Sequence, residues 1–413
     1  NSATLFSSGL DYVLLTHFHT DHIGEPTPSS RSSSSKKPSY KLSGITEIGN
    51  QIPIHTFLDR GYPLYNEPSQ LQTAEPYKYI MNNYIQFIHN LESKQPPPQN
   101  PTTTTTKTIV QRFQVGSSSQ ITYQHLPPNL QSSYHHHNKN HHVHFVVRNI
   151  KANLEVVVPT SKKDSAATSR HKFIQGIQLE NESTWNENEL SCALVIEYGD
   201  FRYYHGGDQE SHTTIATKRK TKGDPNNNRS QTSSSLFDTI TPTAQAAGSV
   251  DVATLNHHGH GINDAFFQIM NPQMVVLQGW CNDQPPDSTL QLLHQKQQQH
   301  PDQKPHAFAT DMFPERIEEF WKHASPPSPL SPQSSSSFKT TQKRQPPLFT
   351  STAGHVVVRV HPPPPHQQQS DNVKKSDSPH QQQDVQEQNF DVFVLDEFYR
   401  IVSKHGPYKA GVH

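Results

Sequence analysis

Apolar residues in this chain come as short runs separated by long polar stretches. Asp11-Tyr12-Val13-Leu14-Leu15 has the length of a buried strand, and residues 52–58 read as another. From Tyr77 through Ile80, Tyr84, Phe87, Ile88 and Leu91 the apolar positions recur at helical spacing, with Pro76 at a first-turn position. Residues 143–147 and 154–158 predict strands flanking a turn. Ala193 to Tyr198 and Phe201 to Tyr204 enclose Gly199-Asp200, the pattern of a hairpin. Further strands are expected at 252–255, 274–278, 307–310, 356–360 and 392–395, with helices at 265–270 and 314–323. Alternating strands and helices in the middle of the chain, with hairpins elsewhere, suit an α/β fold with helices packed outside sheets.

The stretches between these elements are rich in Ser, Pro, Gln, Asn or Thr, at about 26–40, 94–107, 116–142, 216–236, 295–305, 324–347 and 361–388. Each reads as a loop or disordered insertion. Only 31% of the 413 residues are hydrophobic and 34 are Pro, so much of the chain buries too little apolar surface to offset its ordering entropy. One globular domain of about 220–260 residues, cut by insertions, is the expectation. A net charge of -1 excludes a global field for nucleic acid or membrane. Two cysteines, Cys192 and Cys281, exclude a disulfide scaffold and a thiolate zinc site. No run approaches the roughly 18 apolar residues of a membrane-spanning helix, and the compartment stays open.

Many of the 28 histidines sit in polar tracts such as His135-His136-His137. One group differs. In Thr16-His17-Phe18-His19-Thr20-Asp21-His22-Ile23-Gly24, directly after the first apolar run, His17 and His19 project to one side of an extended segment. Asp21 and His22 follow where the strand must turn. Imidazole and carboxylate suit zinc, iron or manganese. His205-Gly206-Gly207-Asp208 then ends the hairpin's second strand, where glycines allow close backbone approach and Asp208 can bridge two cations. Asn256-His257-His258-Gly259-His260 follows another apolar strand and is a third ligand segment.

Together these motifs resemble the metallo-β-lactamase fold superfamily. The Gly-Gly-Asp and His-His-Gly endings are closest to the branch holding the soluble domain of ComEC-type competence proteins and bacterial phosphorylcholine esterases. The resemblance implies a four-layer αββα sandwich, here without its N-terminal strands, carrying two divalent metal ions, zinc foremost and manganese or iron as alternatives. It implies that His17 and His19 hold one ion, Asp21 and His22 the other, and that Asp208 bridges them. His258 would be a further ligand and His257 would stand near the substrate oxyanion, with the choice between them open and His260 a remote third. The superfamily supplies one more His about twenty residues before the bridging Asp. This chain has Asn186-Glu187-Asn188-Glu189-Leu190-Ser191 there, so Asn188 would stand near a weaker first site, with His171 as a displaced substitute.

The activity implied is metal-dependent hydrolysis by a metal-bound hydroxide, with Asp21 taking the proton and His257 stabilising developing charge. The branch favours a phosphodiester, either nucleic acid or a small phosphoryl ester. Lys162-Lys163 and Lys218-Arg219-Lys220-Thr221-Lys222 are the basic runs that would suit nucleic acid. The alternatives are a carboxyl- or thiol-ester hydrolase on the same fold, and a non-catalytic metal-binding protein whose insertions bind partners.

Overall fold

The computed structural model describes residues 9–33, 39–68, 71–73, 75, 77–93, 107–122, 145–158, 170–173, 186–217, 232–299, 305–311, 349–351, 355–361, 387–395 and 400–411. In chain order they begin with strand β1 (Leu10–Leu15), helices α1 (Thr20–Ile23) and α2 (Ile45–Gln51), β2 (Ile54–Asp59), α3 (Tyr77–Ser93) and β3 (Ile109–Arg112). Then come β4 (Phe145–Ala152), β5 (Glu155–Val158), β6 (Arg170–Phe173), a single 3-10 turn at Glu187–Leu190, β7 (Ala193–Tyr198) and β8 (Phe201–His205). Next are β9 (Ser211–Thr217), β10 (Thr232–Asp238), α4 (Ile240–Ala247), β11 (Val252–Thr254), a second 3-10 turn at Asn256–Gly259 and α5 (Asp264–Met270). The last are β12 (Met274–Leu277), α6 (Asp287–Gln299), β13 (His306–Ala309), β14 (Phe349–Ser351), β15 (His355–Val360), β16 (Asn389–Leu395) and β17 (Ile401–Lys409). The class is α/β, with parallel and antiparallel pairings and few helices.

The chain divides into two compact units, the first made of Asn1–His125, Val146–Val195 and His205–Gly248, the second of Leu126–Phe145, Ile196–Tyr204 and Ser249–His413. In the first unit β1-β2-β3 form a parallel sheet, with Leu15 opposite Asp59 and Thr56 opposite Ile109. Parallel neighbours need crossovers, and these carry α1, α2 and α3. Ile80, Met81, Tyr84, Phe87, Ile88 and Leu91 are buried along one face of α3, where Tyr84 and Phe87 meet Phe57 of β2 at ring separations of 6.2 and 6.0 Å. The same unit holds β7-β4-β5-β6 in that order, the antiparallel pair β9–β10, and α4, whose last carbonyls on Ala246 and Ala247 accept from Arg148 at 3.3 and 3.2 Å.

The second unit is layered. Strands β14-β13-β12-β11-β8 run in that order with parallel neighbours, and β15-β16-β17 form a separate antiparallel sheet. Phe201, Val252, Met274 and Phe308 of the first sheet bury themselves against Phe390, Val392 and Val394 of the second, and the Phe201 and Phe390 rings lie 5.1 Å apart. Tyr204 follows Tyr203 and so faces the other way, where Phe266 of α5 meets it at 6.0 Å.

Most sequence-predicted elements appear with ends shifted by a few residues. Two expectations are corrected. Both ends of the 216–236 stretch belong to strands, Ser211–Thr217 paired with Thr232–Asp238. The 295–305 stretch begins as helix, because α6 is anchored by buried Leu290 and Leu293 and continues through helix-favouring Gln residues to Gln299. The expected helix at 314–323, the His135–His137 tract and most of the other polar stretches lie outside the described residues.

The seam between α2 and α3 yields a sign test. Gly49 lies in α2, where replacement by Ala ordinarily stabilises a helix by about 0.5–1 kcal/mol. A Cβ there would stand 2.6 Å from Phe87 Cζ and 3.1 Å from Ile54 Cδ1. Gly49→Ala is therefore expected to lower the unfolding free energy by about 1–2 kcal/mol through overpacking, read as a lower urea midpoint; a raised midpoint would contradict this packing.

Candidate metal centre

β1 ends at Leu15, and His19, extended with φ −70° and ψ 157°, enters α1. That geometry puts His17 and His19 on one side, with ring centroids 4.9 Å apart, and α1 swings His22 over His17 at 4.1 Å. Asp208 arrives from the turn after β8. Gly207 has φ +58°, and a Cβ on it would lie 3.0 Å from both Ser191 Cβ and Thr16 Cβ, so glycine alone brings the Asp208 backbone this close. The Asp208 N–H donates to Ser191 Oγ at 3.1 Å, and Cys192 N–H donates to Thr16 O at 2.9 Å. Gln209, held by Thr243 of α4 at 2.8 Å, fixes the turn from the other side.

His22 Nε2 lies 3.0 Å from Asp208 Oδ2 and 3.4 Å from Asp21 Oδ2, and His17 Nε2 lies 3.8 Å from Asp208 Oδ2. One ligand atom from each of Asp21, His22 and Asp208 falls within 4.8 Å of the others, a His/Asp cluster that can hold a metal ion. Two donors each about 2.0–2.2 Å from one ion stand about 3–3.5 Å apart at ordinary coordination angles. The spacing therefore fits a cation. His17 and Asp208 are buried, while Asp21 and His22 are the partly exposed members, so the cluster has a closed floor and a rim toward solvent.

His17 carries the sharpest signal. Its Nδ1 lies 3.2 Å from Thr16 Oγ1, and its fully buried Nε2 has no hydrogen-bond partner. Burial first, then the neighbouring His22, push its pKa well below the ordinary value, so the ring is neutral. In the tautomer that carries its proton on Nδ1, Nε2 turns a lone pair toward the Asp208 carboxylate oxygen 3.8 Å away. Such an arrangement is unfavourable unless a cation lies between them. Burial also works against charge on His22, but hydrogen bonds to Asp208 and Asp21 outweigh it and raise the pKa to about 9. A proton thus occupies the negative potential there, and a divalent ion held by the same carboxylates would displace it.

His19 stands beside this group, stacked on Tyr77 at 6.0 Å, with its pKa lowered by burial and Asn188 among the side chains close to it. Asn188 therefore stands by the His17/His19 pair. In the second unit, Asn256–Gly259 follows β11, and His257 and His258 take left-handed φ of 48° and 51° in succession, costly for residues with a Cβ. His258 Nδ1–H donates to Gln278 O at 2.6 Å, which leaves Nε2 as the ring's lone-pair donor, and His260 is exposed. His171 lies in β6, Lys162-Lys163 and 218–222 lie outside the described residues, and His355 opens β15 as an exposed residue.

Sequence reasoning missed the residues that support the motif. Buried Glu187 accepts the Phe18 N–H at 2.9 Å and pairs with buried Arg60. His205, next to Gly206, is held at a pKa of about 4 by burial and by His22, so it is a second neutral imidazole here. Buried Lys151 donates from Nζ to Glu189 O and, at 3.0 Å, to Ser191 O, tying down the turn that carries Asn188. The only signal for the acid–base pair was a charged Asp59-Arg60 directly at the end of an apolar strand.

No protein-family model matches the chain, and no curated protein matches it.

Lys151 gives a pH prediction. Burial lowers its pKa to about 7, so above pH 7 the unfolded chain binds a proton at Lys151 that the folded chain lacks. Stability from this group then rises with pH, by on the order of 1 kcal/mol per pH unit between about 7 and 9. Chemical unfolding across that window should show a rise in wild type that Lys151→Met loses; equal slopes in both proteins contradict the assignment.

Proposed function

We propose that this chain is a metal-dependent hydrolase acting on a phosphodiester, on a four-layer αββα scaffold of the metallo-β-lactamase kind. The observation that carries the reading is the convergence of Asp21, His22 and Asp208 within 4.8 Å, floored by the unpartnered Nε2 of buried His17. Monodentate carboxylate and imidazole donors with a solvent-facing rim are the ligand set of a catalytic divalent ion rather than of a closed structural one. Zinc is the first candidate and manganese the second, with His17 and His19 offered to one ion, Asp21 and His22 to another, and Asp208 to both.

A divalent ion supplies Lewis acidity and lowers the pKa of water toward neutrality. The residues do the rest. Asp208, buried and held through its backbone by Ser191, keeps its carboxylate oriented without solvent competition. Asp21 is the carboxylate at the rim, with about 30% of its side chain exposed, and so the one placed to accept a proton from water and pass it to solvent. His17 and His205 stay neutral, so neither adds positive charge that would repel an ion. The phosphodiester choice rests on the sequence resemblance.

The test is hydrolysis of model phosphodiesters, thioesters and carboxyl esters by the full chain reconstituted with zinc or manganese. Phosphodiester turnover that a chelator abolishes and the metal restores is expected, with Asp21→Ala or Asp208→Ala lowering it by about 10²–10⁴-fold. Full activity in either variant sinks the site assignment. Turnover of thiol or carboxyl esters alone moves the reading to the ester hydrolases, and stoichiometric metal without any turnover moves it to a binding protein.

A further inference from the structure

Phe18 is the residue between the two imidazoles of His17 and His19, and it is gripped at both ends. Its backbone N–H donates to Glu187 Oε1 at 2.9 Å. Its ring is fully buried, with the Arg60 guanidinium 4.6 Å above it and Tyr65 and Tyr84 at 5.7 and 5.5 Å. The two grips are one device. Arg60 donates from Nε to Glu187 Oε1 at 2.6 Å and from Nη2 to Oε2, the two-pronged pairing that fixes a carboxylate in plane. Arg60 is itself fixed, because Nη1 donates to Asn153 Oδ1 at 3.0 Å while Asn153 Nδ2 donates back to Arg60 O at 3.1 Å.

Arg60 is fully buried and Glu187 is 3% exposed. Burying an ion pair of this kind gains little stability over apolar side chains of the same volume, so stability alone is a poor reason for it. What an apolar pair cannot supply is an acceptor for the Phe18 N–H. In an extended segment that peptide sets the separation and tilt of the side chains on either side of it.

We infer that Glu187, locked by Arg60, is a positioning residue for the metal donors His17 and His19, acting through the Phe18 peptide without touching an ion. The inference rests on the metal-centre reading above. Outer contacts that orient ligands change metal affinity by about 10–100-fold when removed. Glu187→Gln keeps an oxygen for Phe18 N–H but breaks the two-pronged pairing, and Arg60→Lys keeps the charge but not the fork.

The experiment titrates the full-length wild type and both variants with cobalt(II) as a probe, reading the visible ligand-field spectrum and affinity by competition with a chelator. Circular dichroism melts of the metal-free proteins run beside it. Either variant, if folded, is expected to bind cobalt about 10–100-fold more weakly, with a changed ligand-field spectrum even at saturation. Variants that only melt earlier, with affinity and spectrum unchanged, overturn the inference and make the pair a structural one. A wild type that takes up no stoichiometric cobalt overturns the metal-centre reading and this inference together, which separates the two failures.

Discussion

Two carboxylates and an imidazole brought within 4.8 Å at the rim of a buried His17 form the constraint on which the rest of this site depends. Like charges in that proximity repel, and burial strengthens the repulsion. Without an ion the chain answers with a proton on His22 and neutral rings at His17 and His205. A divalent cation would resolve the same conflict, and it would give the buried His17 Nε2, which has no hydrogen-bond partner, a group to meet. The backbone around the cluster is arranged for this convergence. Gly207 can lie against Thr16 and Ser191 only because it has no side chain, and Ser191 then holds Asp208 by its N–H.

The candidate segment of the first unit has a telling topological position. His17 to His22 follow β1, at the carboxyl end of a strand with a parallel neighbour. Open parallel sheets bind ligands at those ends, where strands hand over to loops and helix starts. The crossovers that parallel pairing demands do two jobs in the first unit. They carry α2 and α3, which bury the apolar face of the sheet, and they free the segment after β1 to present donors rather than continue a ladder.

The candidate donors were legible because their signal is local: strand, His-x-His-x-Asp-His and Gly lie in one run that sequence alone displays. The hairpin around Gly199-Asp200 and the face of α3 were legible for the same reason, their periods being complete within a window. The support was not. Arg60 and Glu187 are 127 positions apart, and nothing near either of them announces the other. Lys151, read alone, is a solvent-seeking side chain, and only the fold shows it buried against two carbonyls. Compositional bias hid other elements. The Thr/Ser-rich β9 and β10 and the Gln-rich end of α6 share the residue types of the polar tracts, and pairing or a Leu290/Leu293 anchor decides them.

The most direct measurement is zinc-edge X-ray absorption on the zinc-loaded full chain, compared with a variant lacking both His22 and Asp208. The account predicts a stoichiometric ion in a mixed imidazole and carboxylate shell at about 2.0–2.2 Å, lost or rebuilt in the double variant. A spectrum that the double variant leaves unchanged would place the metal on other histidines of the chain and contradict the account.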